Sequence, residues 1–159
     1  MDNLYHIVRY GSGWALAALL WMLVESWVGG HDRYMHYHGY LTYFFAIPWV
    51  FIYYRGIRQR AVTAGRLEFR EAFLLGCGIT LAATVLTPVV WWAFAGWLNP
   101  DFLTAKAQHA IGHGMDPEAA ALRYSLVNHL VISAFSTAVI GSVISLVIAI
   151  IFARRVFIS

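Results

Sequence analysis

Four long apolar stretches constrain this chain more than any other feature of its sequence. They cover residues 11–28, 37–54, 73–98 and 126–152, each close to or above the roughly 20 residues that a helix needs to cross a bilayer. Lipid offers no partners to backbone polar groups, and no alternating strand pattern is present, so helix is the conformation that suits these stretches. The sequence therefore predicts an all-α membrane bundle of four transmembrane helices, forming one domain over residues 1–159.

The composition agrees with a membrane protein. Sixty per cent of the 159 residues are apolar and 12% are charged, which is more apolar surface than a small soluble domain can bury. Seven tryptophans and nine tyrosines suit a protein that meets two lipid–water interfaces. The net charge of +3 comes from basic residues beside apolar runs, so it indicates membrane topology and no nucleic-acid partner.

The distribution of basic residues predicts the orientation of the bundle. Both termini and the loop between the second and third spans share one side, with eight basic residues: Arg9, Arg55, Arg58, Arg60, Arg66, Arg70, Arg154 and Arg155. The other side has three: Arg33, Lys106 and Arg123. Cytoplasmic loops carry the excess of Lys and Arg, so both termini are expected in the cytoplasm.

The segment between the third and fourth spans, residues 99–125, is expected outside the membrane. Residues 99–101 have the types of an N-cap, an N1 proline and a first-turn acid, so a short external helix is predicted from about 100 to 110. Gly112 and Gly114 end it. From Pro117 no further break is evident until Arg154, which predicts a continuous fourth helix of about 55 Å.

Small residues recur every four positions in the last two spans. The fourth span has Ser133, Thr137, Gly141 and Ser145, and the third has Gly76, Thr80 and Thr84. Such stripes allow two helix backbones to approach closely. They predict packing inside the chain in preference to packing against a partner, although both remain open.

Three stretches of the second half carry a likeness to a known family. They are Gly65, Phe69, Ala72 and Gly76; Asn99-Pro100-Asp101-Phe102; and Gly141, Ser142, Ser145 and Leu146 before a basic C-terminus. In these the chain resembles the bacterial family called domain of unknown function 4199. The resemblance implies a four-helix protein of the bacterial inner membrane, with no established activity or site. The histidines of the first external loop are not part of that resemblance.

Histidines are concentrated on the predicted external side. Six of the seven lie there: His31, His36, His38, His109, His113 and His129. Neutral imidazole suits Zn²⁺ or Cu²⁺, so the last five are the candidate metal ligands. His38 and His129 are the one plausible pair for haem. Since no metal motif is present, interfacial histidines facing headgroups and water are the simpler reading, and no cofactor is the first expectation.

Glu25 is the one ionisable residue clearly within a predicted span. Such residues are costly in a bilayer and are functional suspects. Glu25 lies about 21 Å along the helix from Gly11, near the external interface. A structural pairing with His38, His129 or Arg33 is favoured, and proton or ion handling is the alternative.

Several functions remain open, because the sequence contains no catalytic triad, phosphate loop or paired catalytic carboxylates. The leading hypothesis is a non-catalytic accessory or assembly subunit of an envelope system, surrounded by lipid and contacting a second copy or another membrane protein. The alternative is a small oligomeric transporter that uses Glu25 and the external histidines. A metal- or haem-binding protein and an enzyme acting on lipid are further alternatives. A water-filled cavity reaching Glu25 is the observation that transport requires.

Overall fold

The chain is described by a computed structural model over residues 2–28, 40, 43–65 and 67–155. Every regular element among these residues is helical, as predicted. The helices are α1 (Asp2–Trp27), α2 (Ala46–Ala64), α3 (Phe69–Ala93), α4 (Phe102–Gly112), α5 (Pro117–Arg123) and α6 (Leu126–Arg155). A π-helical turn, Phe94–Leu98, continues α3.

Three of the described helices are long and apolar enough to cross a membrane: Asn3–Trp27, Phe69–Leu98 and Leu126–Phe152. Their outward faces carry large apolar side chains such as Leu16, Leu81 and Phe135, which are 59%, 66% and 70% exposed. Apolar side chains on the outside of a helical bundle suit lipid as the surrounding solvent. The structure is therefore that of a membrane-spanning helical protein.

Two predicted span boundaries differ from the structure. The first helix begins at Asp2, well before residue 11, and α2 continues past residue 54 to Ala64. Arg55, Arg58 and Arg60 therefore lie on a helix and not in a loop. A helix near the membrane surface accommodates them, because the stem of a long basic side chain can lie on apolar surface while its charge reaches water. The left-handed backbone of Gly65, with φ of 74°, ends α2. Residues 37–39 and 41–42 of the predicted second span lie outside the described residues.

Close contacts define how the long helices run. Gly11 meets Ala82, and Gly78 meets Ile7, so α1 and α3 are parallel; a Cβ at either glycine would lie 2.5 Å from the neighbouring side chain. The start of α2 packs on the later part of α1, where the rings of Phe45 and Trp21 are 6.0 Å apart.

The far end of α2 lies beside the early part of α1. A Cβ on Gly56 would lie 3.0 Å from the ring of Tyr10, and the Tyr10 hydroxyl donates to Gln59 Oε1. Helix α2 is therefore antiparallel to α1, and hence to α3.

Small residues bring α3 and α6 together in antiparallel contact. A Cβ on Gly76 would lie 2.6 Å from Ser145 Cβ, and one on Gly141 would lie 2.7 Å from the Thr80 side chain. Thr80 Oγ1 and Ser145 Oγ are 3.3 Å apart, and the Tyr53 hydroxyl donates to Thr80 Oγ1 at 3.0 Å. The predicted stripes therefore pack within the chain.

A second polar contact joins the later part of α3 to the earlier part of α6. Thr87 Oγ1 donates to Thr137 Oγ1 at 3.2 Å. The buried Thr84 hydroxyl, which belonged to the predicted stripe, finds no hydrogen-bond partner among the described residues. The polar contact between α3 and α6 is thus continued by Thr87, which was not part of the predicted stripe.

The segment after α3 departs from the prediction in two places. Asn99 does not cap α4, which begins at Phe102 after a turn; its side-chain amide instead donates to Ser26 Oγ at 3.4 Å, joining this segment to the end of α1. The predicted continuous helix from Pro117 is wrong, because α5 ends at Arg123 and α6 begins at Leu126.

Side chains at the break between α5 and α6 explain that difference. Asn128 Nδ2 donates to the Arg123 carbonyl at 3.0 Å, and Ser125 Oγ accepts from the Asn128 backbone at 3.4 Å, so both satisfy groups that end one helix and begin the next. Helix α6 alone is about 45 Å long. The start of α5 follows the prediction, since Asp116 Oδ1 accepts from the backbone of Glu118 and Ala119 at 3.0 Å each.

Candidate functional site

A cavity of about 460 Å³ lies in the half of the bundle that α4 covers, which we call the α4 end. Side chains from α1, the start of α2, α3, α4 and α6 line it. Six are aromatic: Trp14, Trp21, Tyr43, Phe45, Trp49 and Trp91. Three carry a carboxyl, an amine or an imidazole: Glu25, Lys106 and His129. The volume is within the range of about 300–1,000 Å³ typical of ligand pockets.

One face of α1 supplies the longest wall of this cavity. Trp14, Ala18, Trp21 and Glu25 follow at intervals of three or four residues, so they share a helix face. Glu25 ends that face and is only 4% exposed. Its Oε1 accepts a hydrogen bond of 2.7 Å from Trp21 Nε1, one helical turn earlier. The Trp21 hydrogen bond therefore offsets part of the cost of burying this carboxylate.

Helix α4 lies across this end and is anchored by Phe102. That ring is 1% exposed and packs with Met22 and Phe94. The π-helical turn holds Phe94 in this cluster, and the backbone N–H of Asn99 donates to the Phe94 carbonyl at 2.7 Å. One turn after Phe102, Lys106 projects from the same face, with Nζ 4.8 Å from the centroid of the Phe102 ring.

Lys106, the only lysine of the chain, is the cation of the cavity. Burial lowers the pKa of its ammonium group from 10.5 to about 8, and the negative charge of Glu25 opposes that fall. The opposition means that the two groups are close enough to interact. The negative charge of Glu25 therefore helps to keep Lys106 in its ammonium form inside a largely apolar space.

His129 adds an imidazole to the cavity. Its ring stands edge-on to Trp91, with centroids 4.3 Å apart and an interplanar angle of 81°. Within the described part of the chain neither His129 Nε2 nor the buried Trp14 Nε1 has a hydrogen-bond partner. Buried polar groups usually have partners, so each is a point where a bound molecule or water gains a hydrogen bond.

The predicted metal ligands are divided by the structure. His109 and His113 lie at the end of α4, both exposed, with ring centroids 4.3 Å apart. His129 is in the cavity, whereas His31, His36 and His38 lie outside the described residues. Among the residues that the structure does describe, no three His, Cys, Asp or Glu side chains form a metal-binding group. The five-histidine metal site and the His38–His129 haem pair therefore stay predictions.

Lys106 is the cavity residue that sequence reasoning missed. Glu25 was expected near His38, His129 or Arg33; His129 does line the same cavity, and the other two lie outside the described residues. The available signal was the four-residue spacing from Phe102 to Lys106 on the predicted external helix. An apolar anchor and a cation on one face indicate that the cation points into the protein.

The cavity is open on the side of the bundle. Tyr43, Ile132 and Ile140 line it and are 77%, 50% and 44% exposed, so they form its mouth on the apolar outer surface. The arrangement joins an aromatic wall, an apolar mouth and one end with a carboxylate, an ammonium and an imidazole. Such a site suits a molecule with an apolar body and a polar head.

Comparison with known proteins places the chain in a family without assigning a role. No curated protein and no solved structure matches the chain. The sequence profile of one family, described as "Protein of unknown function (DUF4199)", matches residues 9–154, almost the entire chain. The chain thus belongs to the DUF4199 family, as its sequence had indicated.

Proposed function

We propose that this protein is a four-span bacterial inner-membrane protein with both termini in the cytoplasm, which acts without catalysis as an accessory subunit and binds an amphipathic lipid at the α4 end. The parallel course of α1 and α3 supports four crossings, because the chain between two parallel spans must return through the membrane. Helix α2 runs in the required direction, and Ile47 and Phe51 on its surface are 70% and 59% exposed.

The positions of the basic residues support the orientation. The start of α1 and the later part of α2 share the end opposite α4, and both carry arginines. The α4 end has fewer cations and contains the acids of α5 and its start, Asp116 and Glu118. By the excess of Lys and Arg in cytoplasmic segments, the α4 end faces outward.

The cavity is the observation that carries the binding proposal. An acyl chain entering between Tyr43 and Ile140 meets the aromatic wall, which gains from burying apolar surface. At the polar end of the cavity, the ammonium group of Lys106 binds the phosphate of the lipid headgroup, and the carboxylate of Glu25 accepts a hydrogen bond from its amine. A zwitterionic phospholipid such as phosphatidylethanolamine carries both groups.

Filling the cavity tests the proposal. Ser136 lines the cavity, and Ser142 lies on the same helix with its side chain exposed, so Ser136→Phe and Ser142→Phe add the same bulk at two places. We expect phosphatidylethanolamine to remain bound during purification of the wild type and of Ser142→Phe, and to be depleted in Ser136→Phe, as measured by mass spectrometry of extracted lipid. Equal lipid content in all three proteins contradicts binding in this cavity.

The topology has its own test. In a Cys77→Ser background, Ala119→Cys on α5 and Ala64→Cys on α2 each place one exposed thiol at opposite ends of the bundle. A membrane-impermeant maleimide added to spheroplasts is expected to label Ala119→Cys and to label Ala64→Cys only after lysis. The reverse pattern inverts the proposed orientation, and labelling of both before lysis contradicts four crossings.

Ion handling is the second candidate, because the cavity reaches Glu25; transport also requires that water fills this cavity. In liposomes containing a pH-sensitive dye, a proton path through Glu25 gives flux in the wild type that Glu25→Gln abolishes. Wild-type flux equal to that of empty liposomes eliminates this candidate. Purification in mild detergent decides the accessory role separately, because a strictly monomeric protein without a co-purifying partner argues against it.

A further inference from the structure

A second cavity, of about 470 Å³, lies at the end of the bundle opposite α4, between the early part of α1 and the later part of α2. Seven described residues line it: Arg9, Tyr10, Arg55, Arg58, Gln59, Val62 and Thr63. Three are arginines, and none of the seven is acidic. We call this space the arginine pocket; the function proposed for the α4 end makes no use of it.

The walls of the arginine pocket are held in place by contacts between α1 and α2. The Tyr10 hydroxyl donates to Gln59 Oε1, which ties the two helices together. The guanidinium carbon of Arg9 is 5.9 Å from the centroid of the Tyr10 ring, and that of Arg55 is 6.0 Å from the Phe51 ring. These cation–π contacts limit the freedom of the Arg9 and Arg55 guanidinium groups, so less entropy is lost when the groups bind a ligand.

The polar groups of the pocket are overwhelmingly donors. Each guanidinium offers a planar fork of N–H groups that matches a phosphate, and it stays charged at any physiological pH. Because Oε1 of Gln59 already accepts from Tyr10, the remaining polar group of that side chain is its NH₂ donor. A site with three cations and no lining acid selects for an anion.

The pocket lies at the depth of a membrane surface. Along α1, Arg9 is 16 residues from Glu25, which corresponds to about 24 Å, and the hydrocarbon of a bilayer is about 30 Å thick. The two cavities therefore lie near opposite interfaces. Exposed apolar side chains flank the arginines, including Val8 at 53% and Val62 at 74%. A ligand here meets charge at one end and lipid-facing apolar surface at the other.

We propose that the arginine pocket binds the phosphate of an anionic phospholipid, whose headgroup pairs with Arg9, Arg55 and Arg58 while its acyl chains lie along the apolar surface of α1 and α2. Basic pockets between transmembrane helices on the cytoplasmic side have this property in general. The lipid joins the two helices from outside, so it stabilises their packing as well as their depth in the bilayer. The acyl-chain surface favours a lipid over a soluble phosphate.

The test compares phosphatidylglycerol with phosphatidylcholine of the same acyl chains, added to the detergent-purified full chain, with inorganic phosphate as a third probe. Binding is measured by native mass spectrometry and by the shift in Tm. The variants are the double change Arg55→Gln with Arg58→Gln, the single change Arg58→Gln, and the control Arg123→Gln, which removes an exposed charge of α5.

We expect phosphatidylglycerol to bind at least about tenfold more tightly than phosphatidylcholine, and the double variant to lose at least about tenfold in affinity for it, because charge-assisted contacts to phosphate are lost. Arg123→Gln should bind as the wild type does. If the double variant does not purify, Arg58→Gln decides, with an expected loss of about threefold or more.

Three results overturn the proposal. Equal affinity for the two lipids removes the role of the headgroup charge. An equal loss in Arg123→Gln attributes the effect to overall charge. Inorganic phosphate that raises the Tm as phosphatidylglycerol does, and competes with it, identifies the ligand as a soluble anion. None of these results bears on lipid bound at the α4 end, because the substitutions lie at the other cavity.

Discussion

The charge state of Lys106 gives the sharpest test of the cavity at the α4 end. Its pKa of about 8 in the folded chain compares with 10.5 in water, because burial favours the neutral amine. In the unfolded chain the amine keeps its proton up to about pH 10.5. Between pH 8 and 10.5 the unfolded state therefore binds more protons than the folded state, so the free energy of unfolding rises with pH across that window.

The size of this effect follows from the same two pKa values. At about 1.4 kcal/mol per pKa unit, a fall from 10.5 to about 8 corresponds to about 3.5 kcal/mol, as an upper limit. Lys106→Met keeps the length of the side chain and removes the titration, so its stability should lack this rise. Because the substitution also leaves Glu25 without its nearby cation, the slope against pH is the informative quantity, and the absolute stability is not.

The presence of a single lysine in the chain makes the pKa directly measurable. The rate of acetylation of the peptide that contains Lys106, followed by mass spectrometry between pH 6.5 and 11, reports the fraction of neutral amine. We expect a midpoint near pH 8. Glu25→Gln should move the midpoint lower still, because the carboxylate that favours the ammonium form is gone.

Two outcomes would refute this reasoning. A midpoint near 10.5 means that Lys106 is solvated as in water, so the polar end of the cavity is not desolvated. A midpoint that stays in place or rises in Glu25→Gln means that the carboxylate does not act on Lys106. Either outcome removes the basis for proposing that Lys106 and Glu25 together bind the polar headgroup of a lipid.

Two further predictions concern packing and metal binding. Gly76→Ala forces a Cβ against Ser145 at the contact of α3 and α6, so we expect it to lower the free energy of unfolding by about 1–3 kcal/mol in a thermal unfolding assay. The control Gly13→Ala adds a Cβ that meets nothing within 4 Å, so it should be neutral or slightly stabilising. Equal effects of the two substitutions contradict the close approach of α3 and α6. If the exposed pair belongs to a Zn²⁺ site, replacing His109 and His113 by Ala should lower Zn²⁺ affinity at least about tenfold in chelator competition, and unchanged affinity removes both from the predicted ligands.

Hydropathy and helix punctuation predicted the all-α class and most of the helix order, whereas three specific residue stretches indicated the family. Apolar runs of about 20 residues have one stable form in lipid, so α1, α3 and α6 followed from the positions of these runs in the sequence. Local signals acted locally: Asp116 capped α5, and Gly112 and Gly114 ended α4. The small-residue stripes also indicated the contact between α3 and α6. Gly76 and Gly141 have no Cβ, which allows the backbone of the other helix to approach closely.

The tertiary structure alone decided which distant residues share a site. Glu25 and Lys106 are 81 positions apart, and neither local sequence specifies that α4 folds over the end of α1. The burial of Phe102 with Met22 and Phe94 holds α4 in that position. In the same way, Arg9 joins Arg55 and Arg58 because α1 and α2 are antiparallel. Periodicity specifies the face on which a side chain lies, whereas packing of whole helices specifies what that face meets, and both candidate sites of this protein arise from the second.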